Sequence, residues 1–240
     1  DQRRGTANYT FSESGRLAYL RGDTLNETSG ALNLVRFGRD AEVALADIES
    51  QQFGHLSMSP NERQVALTIY ENAATSDIWI WDLNRDILGR RTFEGNAKRP
   101  IWTTSGRDII YSVTGVDDPN QGGLWTIAAN GTSQPSPIFP SRDVLWPRTI
   151  DSKNKLLFTM HTGPVGSYSL DLTPSEEENI TEERAVLLEL MPQVDAAASL
   201  SISPDENWLA YVSIETGIPE VYVRPYPDVE SGKWQASIGG

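Results

Sequence analysis

Short apolar runs separated by polar turns recur along the whole 240-residue chain. The clearest run, LSMSPNERQVALTIYENAATSDIWIWDL at 56–83, is nearly repeated by LSISPDENWLAYVSIETGIPEVYVRPYP at 200–227. Each copy opens with a short apolar stretch, turns at Ser-Pro-Asn or Ser-Pro-Asp, and continues into two alternating runs. Alternation with a period of two is typical of β-strands, so the pattern predicts an all-β fold.

Three weaker copies of the turn occupy the rest of the chain. They are Ser12-Glu13-Ser14-Gly15, Thr103-Thr104-Ser105-Gly106 and Ile150-Asp151-Ser152. Counted from the second residue of each of the five turns, the steps are 47, 44, 47 and 53 residues. Five copies at this period predict a β-propeller, in which each copy forms one blade.

We predict four antiparallel strands in each repeat, the first just before the turn and the fourth at the edge. The repeats cover approximately 7–50, 54–96, 98–142, 144–195 and 198–240, and together they form one domain. In the second repeat, the fourth strand is predicted at 91–93. A single four-stranded sheet cannot bury both of its faces, so each sheet should pack against its neighbours. The alternating aromatic residues Trp79, Trp81, Trp125 and Tyr222 are therefore expected in the core.

The residue types at the turn have a conformational reason. Proline holds φ at about −65°, which suits the second position of a tight turn and explains Pro60 and Pro204. Glycine tolerates positive φ at the fourth position, where Gly106 stands in the third repeat. Glu62 and Glu206 occupy that position in the two clearest copies, which predicts that the positive-φ residue moves onward, to Asn207 in the last repeat.

The phrases around Pro60 and Pro204 resemble the WD-like repeats of TolB-type β-propellers. They are particularly similar to the propeller attached to many bacterial serine/threonine protein kinases of the eukaryotic-like type. The resemblance runs from Phe11 to Gly240 and implies a non-catalytic, ligand-sensing or protein-interaction domain outside the cytoplasm. Such propellers usually have six blades, so five repeats indicate either part of a six-bladed propeller or a ring of five.

Two alternative functions stay open. Instead of a sensor or interaction domain, the chain could serve as a TolB-like envelope scaffold or as the accessory propeller of a hydrolase or peptidase. No glycine-rich phosphate loop or His-Arg-Asp motif occurs in the sequence, so any kinase lies outside these residues. The composition does not separate the alternatives.

Charge and composition narrow the range of partners. The formal net charge is −13 with a pI of about 4.6, which disfavours binding to nucleic acid and favours a protein or peptide partner. The absence of cysteine excludes disulfides, thiolate metal sites and cysteine nucleophiles. No apolar run reaches the roughly 18 residues that a membrane-spanning helix needs.

Four residues on or beside the predicted first strands are candidates for binding: His55, Trp102, Trp146 and Arg148. First strands of a propeller converge on its channel, and aromatic and arginine side chains are favoured anchors in protein interfaces. We therefore expect these residues at the channel mouth or its rim. The alternative is that they pack between neighbouring blades.

Evidence for catalysis or metal binding is weaker. The only histidines are His55 and His161, and no Gly-x-Ser-x-Gly motif occurs, so we expect neither an enzyme nor a cofactor. Asp117, Asp118 and Asn120 cluster oxygen atoms that calcium could use, but they lack the ligand spacing of an EF-hand loop. An ordinary turn is the alternative for these three residues. The acidic tract at 174–184 is expected to be a solvated loop.

Overall fold

The computed structural model describes residues 9–11, 17–21, 33–38, 41–44, 52–163, 165–173, 188–189 and 198–239. Every regular element within these residues is a β-strand, as the alternating pattern predicts. Within the same residues, no helix has the length and apolar character needed to cross a membrane. The acidic tract at 174–184 lies outside the described residues.

The described strands form five four-stranded antiparallel sheets, which confirms the predicted strand number of the repeats. The first sheet contains β1 (Tyr9–Phe11), β2 (Leu17–Arg21), β3 (Asn33–Gly38) and β4 (Ala41–Ala44). The second contains β5 (Gln52–Met58), β6 (Gln64–Tyr70), β7 (Ser76–Asp82) and β8 (Ile87–Arg90). The third contains β9 (Ala97–Trp102), β10 (Asp108–Val113), β11 (Gly123–Ala128) and β12 (Ser136–Pro140).

The last two sheets repeat the same consecutive order. The fourth contains β13 (Leu145–Ile150), β14 (Lys155–Met160), β15 (Gly166–Asp171) and β16 (Leu188–Glu189). The fifth contains β17 (Ala198–Ile202), β18 (Trp208–Ser213), β19 (Glu220–Pro225) and β20 (Trp234–Gln235). Strands that are neighbours in sequence are therefore neighbours in each sheet, as expected for a meander.

The chain divides into two compact units, one made of 1–111 and 126–136 and the other of 112–125 and 137–240. Each unit has its own apolar cluster. In the first unit the cluster includes Phe53, Met58, Val65, Leu67, Ile69 and Trp81. In the second it includes Leu157, Leu200, Leu209, Tyr211, Tyr222, Tyr226 and Val229. Trp81 and Tyr222 are buried, as predicted, whereas Trp79 and Trp125 are half-buried.

The turns differ from the prediction at their fourth position. Glu62 and Glu206 themselves adopt positive φ, 59° and 54°, so the expected shift to Asn207 is wrong. The backbone N–H of Glu206 donates to the carbonyl of Ser203, which fixes this residue as the corner. A left-handed conformation costs roughly 1–2 kcal/mol for a residue with a Cβ. The Glu206 carboxylate also accepts hydrogen bonds from the backbone N–H and hydroxyl of Ser152, which offset part of that cost.

The edge strand of the second sheet also differs from the prediction. Strand β8 covers Ile87–Arg90, not 91–93. The carboxylate of Asp82 accepts the backbone N–H groups of Asn84 and Arg85, which tightens the turn and starts the edge strand earlier. The residues at 91–93 instead follow β8. The backbone N–H of Arg91 donates a hydrogen bond to the carbonyl of Ile78 in the adjacent strand β7.

Candidate functional site

A β-bulge interrupts the first strand of three sheets. The register shifts at His55 in β5, at Arg148 in β13, and between Ala198 and Ser201 in β17. A bulge inserts one unpaired residue, bends the strand and redirects a side chain, and bulges are frequent beside functional sites. Two of the four predicted binding residues, His55 and Arg148, are thus the inserted residues of bulges.

The hairpin of β13 and β14 carries a cluster of polar and aromatic side chains in the second compact unit. Trp146 lies directly opposite Thr159 in the register, and the backbone N–H of His161 donates to the carbonyl of Val144. His161 therefore lies just beyond the end of β14, beside the start of β13. The hairpin brings the side chains of Trp146 and His161 together although they are separated along the sequence.

The side chains of this cluster contact one another closely. The rings of Trp146 and His161 have centroids 3.5 Å apart and are tilted by 37°. The guanidinium carbon of Arg148 lies 5.3 Å from the centroid of the Trp146 ring, within the range of a cation–π interaction. We call these three residues, together with Thr159, the Trp146 cluster.

Thr159 connects two side chains of the cluster from its buried side. Its side chain is buried, whereas Trp146, Arg148 and His161 are half-buried. Arg148 Nε donates to Thr159 Oγ1 at 3.0 Å, and Thr159 Oγ1 lies 2.8 Å from His161 Nε2. Because a guanidinium only donates, the hydroxyl proton of Thr159 is available to a neutral His161 whose Nε2 is unprotonated. The buried hydroxyl thus positions both partially exposed side chains.

An acidic group lies at the edge of the same hairpin. The hydroxyl of Thr162 donates to Asp143 Oδ1 at 3.0 Å and accepts the backbone N–H of Val144 at 2.8 Å. A Cβ at Gly163, where φ is 68°, would lie 2.6 Å from Asp143 Oδ1. Glycine suits this position because of its positive φ and because the missing Cβ leaves room for the carboxylate. The cluster presents an aromatic ring, a guanidinium and an imidazole next to a fixed carboxylate.

The other two predicted binding residues lie in the first compact unit. Trp102 is buried, and its indole N–H donates to the carbonyl of Ser57 at 2.9 Å, so it packs between two neighbouring sheets. This is the alternative that the sequence left open, and we exclude Trp102 from the candidate site. His55 is half-buried and has a φ of 34° in its bulge.

The three residues considered as weak candidates for calcium binding form a turn in the structure. Asp117, Asp118 and Asn120 are exposed. Asp118 Oδ1 accepts hydrogen bonds from the backbone N–H and side-chain amide of Asn120. This arrangement is an Asx turn. In the part of the chain that the structure describes, no group of three or more His, Asp or Glu side chains could hold a metal ion.

Sequence reasoning missed a second cationic position, Arg99, in the first compact unit. Arg99 lies on β9 with φ 56°, and its backbone N–H donates to the hydroxyl of Thr68 at 3.0 Å. Burial lowers the pKa of Arg99 to about 10, and the nearby Tyr70 opposes this effect. Burial likewise raises the pKa of Tyr70. Tyr70 lies beside Gly54 in the second sheet, next to the third sheet that carries Arg99.

The contribution of His161 and Thr159 was also missed, although the sequence contains a signal for it. Counting outward from the turn after Asp151 without a bulge pairs Trp146 with Met160. The two strands and the turn are predictable, but the bulge at Arg148 shifts the register by one residue and places Trp146 opposite Thr159.

No protein-family model and no curated protein matches this chain. Solved structures nevertheless share its architecture. TolB from Acinetobacter baumannii superposes with a TM-score of 0.66 at 14% identity, over 91% of this chain and 51% of that protein. The chain has the fold of a TolB-like β-propeller.

Propellers of larger proteins are similar to it as well. The tricorn protease matches with a TM-score of 0.68 at 10% identity, over 98% of this chain and 22% of that protein. A puromycin-hydrolyzing peptidase of Mycobacterium tuberculosis matches with a TM-score of 0.66 at 12% identity, over 95% of this chain and 37% of that protein. The chain thus spans about half of the length of the TolB structure and less of the two peptidases.

Proposed function

We propose that this chain is a non-catalytic β-propeller that binds a protein or peptide partner, and that the Trp146 cluster is part of its binding surface. The observation that carries this proposal is the half-exposed Trp146 ring, in contact with both Arg148 and His161. Tryptophan and arginine are the residues most often found as energetic anchors of interfaces. Because Thr159 bonds Arg148 and His161, the two side chains that contact the Trp146 ring, little side-chain entropy is lost on binding.

Binding is favoured over catalysis by the environment of the Thr159 hydroxyl. A hydroxyl 2.8 Å from an imidazole nitrogen resembles a nucleophile with its base. However, Thr159 is only 1% exposed, and its oxygen also accepts a hydrogen bond from Arg148. A substrate carbonyl cannot approach a side chain that is covered in this way, so Thr159 serves as a positioning residue.

The biological setting that we propose is the sensor region of a bacterial serine/threonine kinase, outside the cytoplasm. It is supported by the similarity of the phrases around Pro60 and Pro204 to kinase-attached propellers. The accessory propeller of a peptidase is the second candidate, because two peptidases contain propellers with the same fold. A kinase domain or a peptidase domain found in the same polypeptide would distinguish the two settings.

A selection from a phage-displayed library of random dodecapeptides tests the binding site. We expect the 240-residue chain to enrich peptides whose affinity falls at least about tenfold with Trp146→Ala and with Arg148→Ala, as for interface anchors. Phe93→Ala is the matched control, because Phe93 is an exposed ring with the guanidinium carbon of Arg90 5.0 Å from its centroid. Peptides that bind both folded cluster variants as tightly as the original chain would overturn the proposal.

The positioning role of Thr159 has its own test. Thr159→Val keeps the size of the side chain but removes the hydroxyl that bonds Arg148 and His161. We expect Thr159→Val to lower the peptide affinity several-fold, which corresponds to the loss of roughly one or two hydrogen bonds. Thr159→Ser should restore the affinity. Equal affinity for the valine and serine variants, both folded, would show that the hydroxyl does not position the cluster.

A further inference from the structure

The hydroxyl of Thr159 lies between a permanent cation and an imidazole. Its oxygen is 3.0 Å from Arg148 Nε and 2.8 Å from His161 Nε2. The guanidinium always donates, so it occupies one acceptor position of the hydroxyl oxygen. When Nε2 of the imidazole is unprotonated, it accepts the hydroxyl proton. The hydrogen bonds then run in one direction, from Arg148 through Thr159 to His161.

Protonation of His161 removes the acceptor of this hydroxyl. An imidazolium donates from both ring nitrogens and accepts no hydrogen bond. Thr159 is 1% exposed, so its hydroxyl proton cannot turn to solvent instead. Ser167 lies opposite Thr159 in the register of β14 with β15, but the two hydroxyls are not hydrogen-bonded to each other. A buried hydroxyl without an acceptor is costly, so this position favours the neutral imidazole.

Arg148 adds an electrostatic cost to the protonated form. Arg148 Nε and His161 Nε2 share one oxygen, so they are less than about 6 Å apart, and a like charge at that distance disfavours protonation. The Trp146 ring attracts cations, but Arg148 already lies 5.3 Å from its centroid. Asp143 has the opposite effect, but its carboxylate lies at the edge of the hairpin, bonded to Thr162. The group that shares an oxygen with His161 is the cation.

The neighbouring strands carry their ionisable side chains at other positions. The carboxylate of β15, Asp171, lies at the far end of the pairing with β14, opposite Lys155. The acidic residue of β16, Glu189, is separated from β14 by β15. Strand β17 packs against β13 and β14 and has no ionisable side chain. Among the described residues of this sheet and of β17, the charges that face His161 are therefore those of Arg148 and Asp143.

We propose that the Trp146 cluster releases its partner on mild acidification, because it is assembled only while His161 is neutral. This inference rests on the proposed function of the cluster as a peptide-binding surface and adds the regulation of that surface. Once protonated, the imidazole leaves Thr159 and the Trp146 ring. The indole then loses the ring contact that holds it in place. An imidazole titrates at about pH 6.5, so binding is complete above that pH and is lost as the pH falls through it.

The neutral fraction of an imidazole sets the size of the effect. With titration at about pH 6.5, roughly nine-tenths of it is neutral at pH 7.5 and roughly one-tenth at pH 5.5. Because only the neutral form assembles the cluster, the apparent affinity falls in the same proportion, by up to about tenfold. Both pH values lie above the pI of about 4.6, so the chain keeps a negative net charge in both conditions.

Nuclear magnetic resonance of the two histidines tests the opening of the cluster without a ligand. The chain contains only His55 and His161, so His161→Gln assigns their ring protons. An imidazole whose centroid is 3.5 Å from a tryptophan ring has shielded protons. Trp146→Leu and the urea-unfolded chain, each at the same pH, supply two unshielded references. We expect the His161 protons to be shielded at pH 7.5 and to lose more than about half of that shielding at pH 5.5.

Peptide affinity tests the release itself. Selected dodecapeptides that lack histidine and depend on Trp146 are titrated at pH 7.5 and pH 5.5 by calorimetry. We expect the affinity of the chain to fall about fivefold to tenfold at the lower pH. In His161→Gln the side-chain carbonyl can accept the Thr159 proton but does not titrate, so the two affinities should agree within about twofold. His55→Gln removes the other histidine and should keep the full pH dependence.

The two measurements separate failure of this inference from failure of the proposed function. Peptides that depend on Trp146 but bind equally at both pH values would leave the binding surface in place and overturn the pH dependence. A pH dependence that persists in folded His161→Gln would also overturn it. If no selected peptide depends on Trp146, the proposed function fails. The resonances then decide alone, because unchanged shielding of His161 at pH 5.5 would show that the cluster stays assembled.

Discussion

The hydroxyl of Tyr226 donates a hydrogen bond of 2.7 Å to Asp151 Oδ2, joining residues that are 75 positions apart. Asp151 forms the corner of the turn after β13, where its other oxygen accepts the backbone N–H groups of Lys153 and Lys155. Tyr226 follows β19 in the next sheet, and both side chains are buried. A single carboxylate therefore stabilises a turn and ties two neighbouring sheets of one compact unit together.

Removing this hydroxyl should destabilise the protein. Tyr226→Phe leaves Asp151 Oδ2 buried without its donor, and we expect the free energy of unfolding to fall by about 1.5–3 kcal/mol, the range for hydrogen bonds to charged groups. Urea denaturation followed by tryptophan fluorescence measures the change. In an Asp151→Asn background the same substitution should cost about 1 kcal/mol less, because the acceptor is no longer charged. An equal cost in both backgrounds would contradict this account of the pair.

Asp77 should be among the most sensitive carboxylates of the first compact unit. It is 3% exposed, its Oδ2 lies 2.5 Å from Arg90 Nη2, and its Oδ1 accepts the hydroxyl of Thr92. Asp77→Ala removes one partner of a largely buried ion pair and should lower the free energy of unfolding by about 3–5 kcal/mol. Asp117→Ala, at an exposed turn residue, is the control and should change it by less than about 0.5 kcal/mol. Similar unfolding midpoints for the two variants would refute the structural role of Asp77.

Tyrosine ionisation should weaken the fold at alkaline pH. Among the residues that the structure describes, four tyrosines have pKa values raised above the ordinary value of 10.0, in each case mainly by burial: Tyr70, Tyr111, Tyr222 and Tyr226. Below pH 10 both the folded and the unfolded protein keep these groups protonated, so they do not affect stability there. Above that pH the unfolded chain ionises first, so stability is lost progressively as the pH rises.

Ultraviolet absorbance of tyrosinate checks this prediction directly. In the native protein, part of the tyrosine absorbance change should occur above pH 10 and coincide with unfolding, whereas in urea all eight tyrosines should titrate together. A Tyr226→Phe variant should show a smaller late change. Native titration curves that superpose on those in urea would rule out the burial effect.

The repeat explains why the sheets could be predicted and why some of their details could not. The turn residues Pro60 and Pro204 and the alternating runs after them depend on local backbone preferences, which the sequence shows directly. The positive φ of Glu206 recurs at Glu62, Gly106 and Asn154, so it belongs to the turn itself, although a residue with a Cβ does not predict it. The hydrogen bonds that Glu206 accepts from Ser152 of the preceding repeat are visible only in the tertiary structure.

The candidate site divides in the same way. Trp146 and Arg148 were predicted from residue type and from their place near a first strand, and both lie in the Trp146 cluster. Trp102 satisfied the same criteria but is buried, with its indole N–H bonded to Ser57. Residue type alone cannot separate an interface anchor from a core aromatic, since both are large and apolar; only the packing of the neighbouring sheet does so.

The sequence by itself determined that this chain is all β, how often its strand pattern recurs, and where its corners lie, because strand alternation and turn chemistry act over a few neighbouring residues. Only the tertiary structure decided that His161 and Thr159 join Trp146, and that Trp102 is buried against the neighbouring sheet. Both depend on cross-strand register and on what lies against a sheet. A one-residue bulge or an additional sheet changes these without altering the local pattern.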